Sequence, residues 1–197
     1  MRQDGTSDTT GERADGTGTH GSTPPGARAD WGPGVGMRWE TPRSGADTGG
    51  ELLEGTMWFA GHMAGPPVHV HPHASESFRV LEGQIEVFMD GRWAPAVAGE
   101  TVTVPAGVPH SVRNRAAGPA KLVNAHWPAQ QMEGFFLDGG RLASEGKIKA
   151  LPPKDPRTAI HAAMLFQKYP DDIRATGPQG PLFRVLAAVG RLCGFRV

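Results

Sequence analysis

The chain has 197 residues, of which 38% are hydrophobic, and its 20 basic side chains balance 20 acidic ones. This zero net charge excludes a protein that wraps nucleic acid, since phosphate binding relies on a large excess of Lys and Arg. The single cysteine, Cys193, excludes an internal disulfide and a Cys-x-x-Cys metal site. The 28 glycines and 18 prolines are typical of a turn-rich β fold.

The N-terminal segment, residues 1–30, contains no Val, Ile, Leu, Phe, Trp or Tyr. Because it has almost no apolar surface to bury, nothing offsets the entropy lost on ordering it, and we predict a disordered tail whose deletion leaves stability unchanged. The segment also lacks the apolar stretch of a secretory signal, and no later stretch reaches the roughly 20 apolar residues of a membrane span. We therefore expect a cytoplasmic protein without stable membrane insertion.

The middle of the chain, residues 31–128, alternates apolar and polar residues with a period of two. Examples are Phe78 with Val80, Ile85 with Val87, and the run 101–104. Turns rich in Gly and Pro, such as 65–67 and 105–107, separate these runs. Short strands at this spacing are typical of an antiparallel sandwich or barrel, so a mainly-β domain is predicted here.

The C-terminal part, residues 129–197, changes to a helical period and is predicted to form a helical extension. Asp155 and Pro156 are expected to cap and begin a helix that reaches Lys168. A shorter helix is predicted over residues 130–137. A third helix is predicted from an apolar stripe at i, i+3, i+4, i+7 and i+10, formed by Leu182, Val185, Leu186, Val189 and Leu192.

Two interpretations of this extension are open. Burial of the stripe against the barrel or a second subunit is favoured, because a continuous apolar stripe needs a partner. The alternative is binding to an anionic surface, supported by ten basic and four acidic side chains in residues 141–197, with Arg184, Arg191 and Arg196 near the stripe. Phe135 and Phe136, just past the last predicted strand, are expected to form an apolar lid.

A cluster of histidines and one carboxylate lies within the predicted barrel. His69 and His71 are two residues apart, so both imidazoles point the same way from an extended strand, and Glu76 follows. Farther along, the turn at residues 107–109 brings His110 onto the next strand, from which it closes the site. Neutral imidazoles together with a carboxylate suit a divalent transition metal. His73 is expected to lie in a solvated loop.

These two elements resemble the paired motifs of the cupin superfamily of small metal-binding β-barrels. The second motif is matched at every position, by Gly99, Pro105, Gly107, His110 and Asn114. The first motif is matched at His69, His71, Glu76 and Gly83, and it departs at its opening glycine, where this chain has Met63. The resemblance covers roughly residues 50–128 and occurs once, so it implies a single-domain cupin with a small antiparallel barrel or jelly-roll fold.

The resemblance implies a metal held by His69, His71, Glu76 and His110, with positions free for substrate, water or O₂. Fe(II) is the first choice, and Mn(II), Ni(II), Co(II), Cu(II) and Zn(II) fit the same ligands. A small-molecule substrate is expected, and the pairing of small cupins through barrel edges implies a homodimer. Strand parity places four side chains on the face of the ligands as cavity walls: Phe78, Val80, Val87 and Val112.

Two further polar residues are assigned less directly. Asn114 is expected beside the pocket as a structural hydrogen-bonding residue. His126 ends the last predicted strand, and it either lines the mouth of the pocket as an acid or base, or is exposed.

Three functions are compatible with these residues. The first is an Fe(II)-type oxygenase of a small apolar or aromatic molecule. The second is a non-redox metal enzyme (cyclase, isomerase, epimerase or decarboxylase) in which the metal polarises a carbonyl and His126 or Glu82 moves protons. The third is a binding or sensor barrel without turnover. A purely apolar lining favours the first, a separate acid–base group the second, and a cavity too small for more than metal and water the third.

Overall fold

A computed structural model describes residues 26–197 of the chain. Most of the predicted tail therefore lies outside the described residues. The predicted end of the tail at residue 30 is wrong, because Arg28–Asp30 forms a strand, β1. This strand pairs antiparallel with β2, Met37–Arg43, and Ala29 on it is buried.

The predicted mainly-β fold with C-terminal helices is confirmed by the order of the elements. After β1 and β2 come β3, Leu53–Phe59, and eight further strands and three helices. The strands that follow are β4 His69–Val70, β5 Ser75–Glu82, β6 Gln84–Met89, β7 Arg92–Val97, β8 Thr101–Val104, β9 Ser111–Arg113 and β10 Ala120–Trp127. The remaining elements are α1 Met132–Ser144, α2 Pro156–Lys168, β11 Arg174–Ala175 and α3 Gln179–Leu192.

Two antiparallel sheets enclose one hydrophobic core. The larger has the strand order β1-β2-β3-β10-β5-β8, and the smaller has the order β7-β6-β9. Alternation places Phe78 and Val80 of the first sheet and Ile85 and Val87 of the second in the same buried cluster, which follows from the period of two in the sequence. A separate pair, β4 with β11, joins the barrel to the C-terminal extension.

The first two helices pack close to the barrel. Helix α2 begins as predicted, since Asp155 accepts a hydrogen bond from the amide of Thr158 and Pro156 is the first helical residue. Helix α1 is longer than predicted and ends at Ser144 rather than Leu137. Its extra turns lie against β1, where Cβ atoms at Gly139 and Gly140 would come within 1.9 Å of the Trp31 ring and 2.7 Å of Ala29. The two glycines therefore permit this close packing.

The apolar stripe of the third helix is not covered by this chain. Its predicted burial against the barrel is therefore wrong, and its burial against a second subunit stays a prediction. Leu182, Val185, Val189 and Leu192 are 51, 60, 41 and 88% exposed on this chain. Helix α3 instead packs on α2 through its opposite face, where Ala187 and Gly190 are buried. The small residues of that face allow the backbones of α2 and α3 to approach more closely than leucines and valines would.

None of the helices in the described part of the chain is long and apolar enough to cross a bilayer.

Candidate metal centre

The four predicted ligands come together at one end of the barrel. His69 lies on β4, His71 follows it directly, Glu76 lies on β5, and His110 immediately precedes β9. His69 and His110 form an antiparallel bridge with two backbone hydrogen bonds of 2.9 Å. This bridge brings the two halves of the cluster together across 40 residues of sequence.

All four side chains are buried, and each offers one ligand atom within 4.8 Å of the others. Glu76 Oε2 lies 2.7 Å from His110 Nε2 and 3.3 Å from His71 Nε2. The ring centroids of His69 and His110 are 4.3 Å apart. Three imidazoles and a carboxylate that share one such space match the donor set of a divalent transition metal.

Backbone carbonyls orient all three imidazoles in the same way. The Nδ1 atoms of His69, His71 and His110 lie 2.9, 2.6 and 2.8 Å from the carbonyl oxygens of Pro67, Asp172 and Val108. A carbonyl only accepts, so each Nδ1 carries a proton and each Nε2 is directed toward the centre. There, His110 Nε2 forms a hydrogen bond with Glu76 Oε2. Within residues 26–197, His71 Nε2 is buried without a hydrogen-bond partner, as expected of an atom that binds a metal. The residues therefore fit a divalent metal ion.

The charges of the cluster also favour a bound cation. Burial raises the pKa of Glu76, but His126, His71 and His110 outweigh burial and hold its pKa well below the usual range. Burial and the neighbouring His110 and His71 keep the pKa of His69 well below its ordinary value. The ionised Glu76 carboxylate and the neutral His69 imidazole are forms that ligate metals. Burial lowers the pKa of His110, but the contact with Glu76 outweighs burial and raises it, so a metal ion has to displace a proton from this imidazole.

Two residues of β10 contact the carboxylate from the side away from the other ligands. Asn124 Nδ2 donates a hydrogen bond of 2.8 Å to Glu76 Oε1, and His126 Nε2 lies 3.2 Å from the same oxygen. His126 is fully buried, so the alternative that it is exposed is wrong. It is also absent from the residues that line the cavity beside the cluster, so the alternative that it lines the pocket mouth is wrong as well. The sequence analysis missed Asn124. The signal was its position two residues before His126, which puts both on one face of the strand.

A cavity of about 70 Å³ adjoins the cluster. His69, His71 and Glu76 form its polar end, and all other lining side chains in the described structure are apolar or aromatic. Four of the predicted wall and lid residues line it: Phe78, Val112, Phe135 and Phe136. Trp31, Phe166 and Ile173 line it as well. Sequence analysis missed them because Trp31 follows β1 and the other two belong to the C-terminal extension, all far from the ligands in sequence.

Other predicted positions lie away from this cavity. Val80 and Val87 are buried in the core but do not line it, because the cavity occupies only the end of the barrel at which Glu76 and Phe78 lie. Asn114 lies outside it and instead bonds to the carbonyls of Ala60 and Gly118, a structural role. The carboxyl of Glu82 is 72% exposed, so the suggestion that it moves protons at the site is wrong.

Comparison with known proteins gives matches to the barrel region. Residues 57–126 match the family model described as a cupin domain. Quercetin 2,3-dioxygenase of Bacillus subtilis is 36% identical over 64 residues, which are 32% of this chain and 19% of that protein. The HTH-type transcriptional regulator PuuR of Escherichia coli is 39% identical over 49 residues, 25% of this chain and 26% of the regulator. The chain thus spans 19% and 26% of the length of these two curated relatives.

Among solved structures, an RmlC-like cupin from Shewanella frigidimarina is 25% identical, with a TM-score of 0.46. The match covers 55% of this chain and 88% of that one. The family match spans the strands that carry three histidines and the glutamate of both sequence motifs, and these side chains meet in space. Residues 57–126 therefore form a cupin domain.

Proposed function

We propose that the protein is a metal-dependent oxygenase, using Fe(II), that acts on a small, largely apolar or aromatic molecule. The observation that carries the proposal is the cavity next to the histidine cluster. Apart from His69, His71 and Glu76, its lining within the described residues contains no ionisable side chain. A non-redox isomerase or cyclase needs an additional group that moves protons, and such a group is not found on these walls.

The four ligand residues would hold the ion, and a bound divalent metal supplies positive charge and exchangeable positions for substrate or O₂. The carbonyls of Pro67, Val108 and Asp172 keep the three imidazoles in the ligating tautomer. Phe135 and Phe136 of α1 and Phe166 of α2 line the cavity, and their apolar rings would disfavour water there. Apolar walls orient a substrate by shape rather than by hydrogen bonds.

The size of the cavity restricts the substrate class. A volume of about 70 Å³ holds a few water-sized groups, since one water needs roughly 10–15 Å³ on this scale. A molecule as large as quercetin does not fit without displacement of α1 or α2. The similarity to a quercetin dioxygenase therefore supports the type of chemistry, while the cavity favours a smaller substrate.

Oxygen consumption tests this proposal. The protein is loaded with Fe(II) without oxygen, mixed with one-ring aromatic and short aliphatic compounds, and exposed to O₂ in an oxygen electrode. We expect substrate-dependent O₂ uptake that is lost in His71→Ala. No uptake with any compound argues against an oxygenase, and turnover with Zn(II) but without O₂ favours the non-redox alternative.

A binding barrel without turnover is the second candidate, and the small cavity volume favours it. The similarity to a transcriptional regulator over 49 residues is also compatible with a sensor. Calorimetry with the same compounds distinguishes this candidate from the first, because a sensor binds a compound in the cavity and releases it unchanged.

A further inference from the structure

We propose that Asn124 and His126 are positioning residues that restrict Glu76 to a single ligating oxygen. The inference rests on the metal-binding role of the four-residue cluster in the proposed function. It assigns a task to two buried polar side chains of β10 that the ligand set does not use. It also specifies which oxygen of the Glu76 carboxylate would bind the ion.

The two carboxylate oxygens of Glu76 face different partners. Oε2 faces the cluster, at 2.7 Å from His110 Nε2 and 3.3 Å from His71 Nε2. Oε1 faces β10, at 2.8 Å from Asn124 Nδ2 and 3.2 Å from His126 Nε2. Only Oε2 is therefore directed at the space that the three imidazoles share.

Strand pairing makes this division rigid. On β10, His126 is opposite Glu76 and Asn124 is opposite Phe78 in the antiparallel register with β5. Asn124 and His126 are both 0% exposed, so water does not compete for Oε1. Asn124 Nδ2 also donates to the carbonyl of Ser77, and the His126 ring lies edge-on to His71 at 4.9 Å. Asn124 is thus held by two hydrogen bonds. His126, whose ring nitrogens have no hydrogen-bond partner within the described residues, is held by packing against His71 and Phe136.

The consequence concerns the number of positions left free on the metal. A carboxylate that binds through both oxygens occupies two positions, whereas one that binds through Oε2 occupies one. With three imidazoles and one oxygen, the chain would supply four donor atoms to a divalent ion, and the positions that these atoms do not fill would stay available. Outer partners of this kind typically change metal affinity by 10–100-fold when they are removed.

Cobalt(II) added to the metal-free protein tests the proposal, because its visible absorption responds to coordination number. We expect Asn124→Ala and His126→Phe each to weaken Co(II) affinity by roughly 10–100-fold. We also expect weaker visible bands as the freed carboxylate binds through both oxygens. His126→Gln can present an N–H group to Oε1 and should keep most of both properties.

Asn114→Ala is the matched control. Asn114 is as completely buried as Asn124, but its side chain bonds only to backbone groups of Ala60, Gly118 and Ala116. This variant should lower the melting temperature and leave the Co(II) affinity and spectrum unchanged. A purely structural effect of Asn124 would instead make the two asparagine variants behave alike.

Several outcomes overturn the proposal. One is that Asn124→Ala and His126→Phe keep the affinity and spectrum of the parent. If neither variant folds, a crystal structure of the Co(II)-loaded parent decides, and both Glu76 oxygens on the metal would overturn the proposal. A parent that binds no Co(II) overturns the proposed function as well, whereas a parent that binds Co(II) but shows no O₂ uptake with Fe(II) overturns only the oxygenase.

Discussion

At the scale of single residues, each of the three imidazole rings of the candidate metal centre has its Nδ1 atom within hydrogen-bond distance of a backbone carbonyl. His69 and His110 use carbonyls two residues before themselves, at Pro67 and Val108. His71 uses the carbonyl of Asp172, which is 101 residues away. Two of the three orientations are therefore local properties of the motif, while the third depends on the C-terminal extension.

Removing either of two ligands should empty the site. We expect His71→Ala and His110→Ala each to lose most of the bound metal, because three remaining donors hold a divalent ion far more weakly than four. Elemental analysis of the purified protein measures the metal content, and circular dichroism shows whether the barrel still folds. His161→Ala is the control, since His161 is buried on α2, apart from the cluster, and contacts the carbonyl of Arg157. Full metal occupancy in either ligand variant would falsify the ligand assignment.

At the scale of elements, Asp138 joins α1 to the end of α2. Its Oδ2 accepts hydrogen bonds of 2.6 Å from Lys168 Nζ and from the Tyr169 hydroxyl, and Oδ1 accepts from Arg141. Burial raises the pKa of Asp138, but these three partners outweigh burial and lower it below the ordinary value of 3.8. A carboxyl with a lowered pKa in the folded state stabilises the fold above that ordinary value, and the contribution is lost as the pH falls through the lowered pKa.

Asp138→Asn should therefore destabilise the protein at neutral pH by about 1 kcal/mol, since the charged acceptor is lost. The difference from the parent should shrink as the pH falls below about 4. Urea unfolding at several pH values measures both effects. Asp171→Asn provides a comparison, because its side chain is 75% exposed and it pairs only with Arg174. An equal loss in both variants would show that the connection between the helices contributes nothing.

At the scale of the whole molecule, the N-terminal strand and the C-terminal helices complete the barrel. Trp31, which follows β1, donates an indole hydrogen bond of 3.0 Å to the carbonyl of Phe136 on α1. The Trp39 ring of β2 stacks on the Phe136 ring at 4.0 Å. The cavity wall is thus assembled from both ends of the described chain, and the helical extension is a part of the site rather than an outer cover.

Two shortened chains test this arrangement. A chain that begins at Gly32 lacks β1 and Trp31, and it should be less stable than one that begins at Gly26 by about 3 kcal/mol or more, because a buried Trp and a strand pair are lost. Denaturant unfolding of the two chains measures the difference. Equal stability would mean that β1 does not contribute to the fold, as the sequence analysis expected of the whole segment up to residue 30.

The exposed stripe of α3 also belongs to this scale. Leu182, Val185, Val189 and Leu192 face away from the chain, so their regular spacing indicated a helix without indicating what covers it. The homodimer remains a prediction from the resemblance. Light scattering of the purified protein measures its mass in solution.

The local spacing of residues was enough to predict the alternating strands and the start of α2, and together with the cupin resemblance it indicated the four candidate ligands. These features are short-range. Two imidazoles at i and i+2 of a strand point to the same face, and the turn before His110 sets the direction of its side chain. Asp155 followed by Pro156 is equally local, and the helix begins there.

Only the tertiary structure decided which residues surround the ligands. Asn124 and His126 reach Glu76 because β10 pairs with β5, and Asp172 reaches His71 because β11 pairs with β4. The cavity beside the ligands is lined by Trp31, Phe136 and Phe166, which come from segments far from them in sequence. Such contacts depend on the sum of packing over the whole chain, and no single stretch of sequence encodes them.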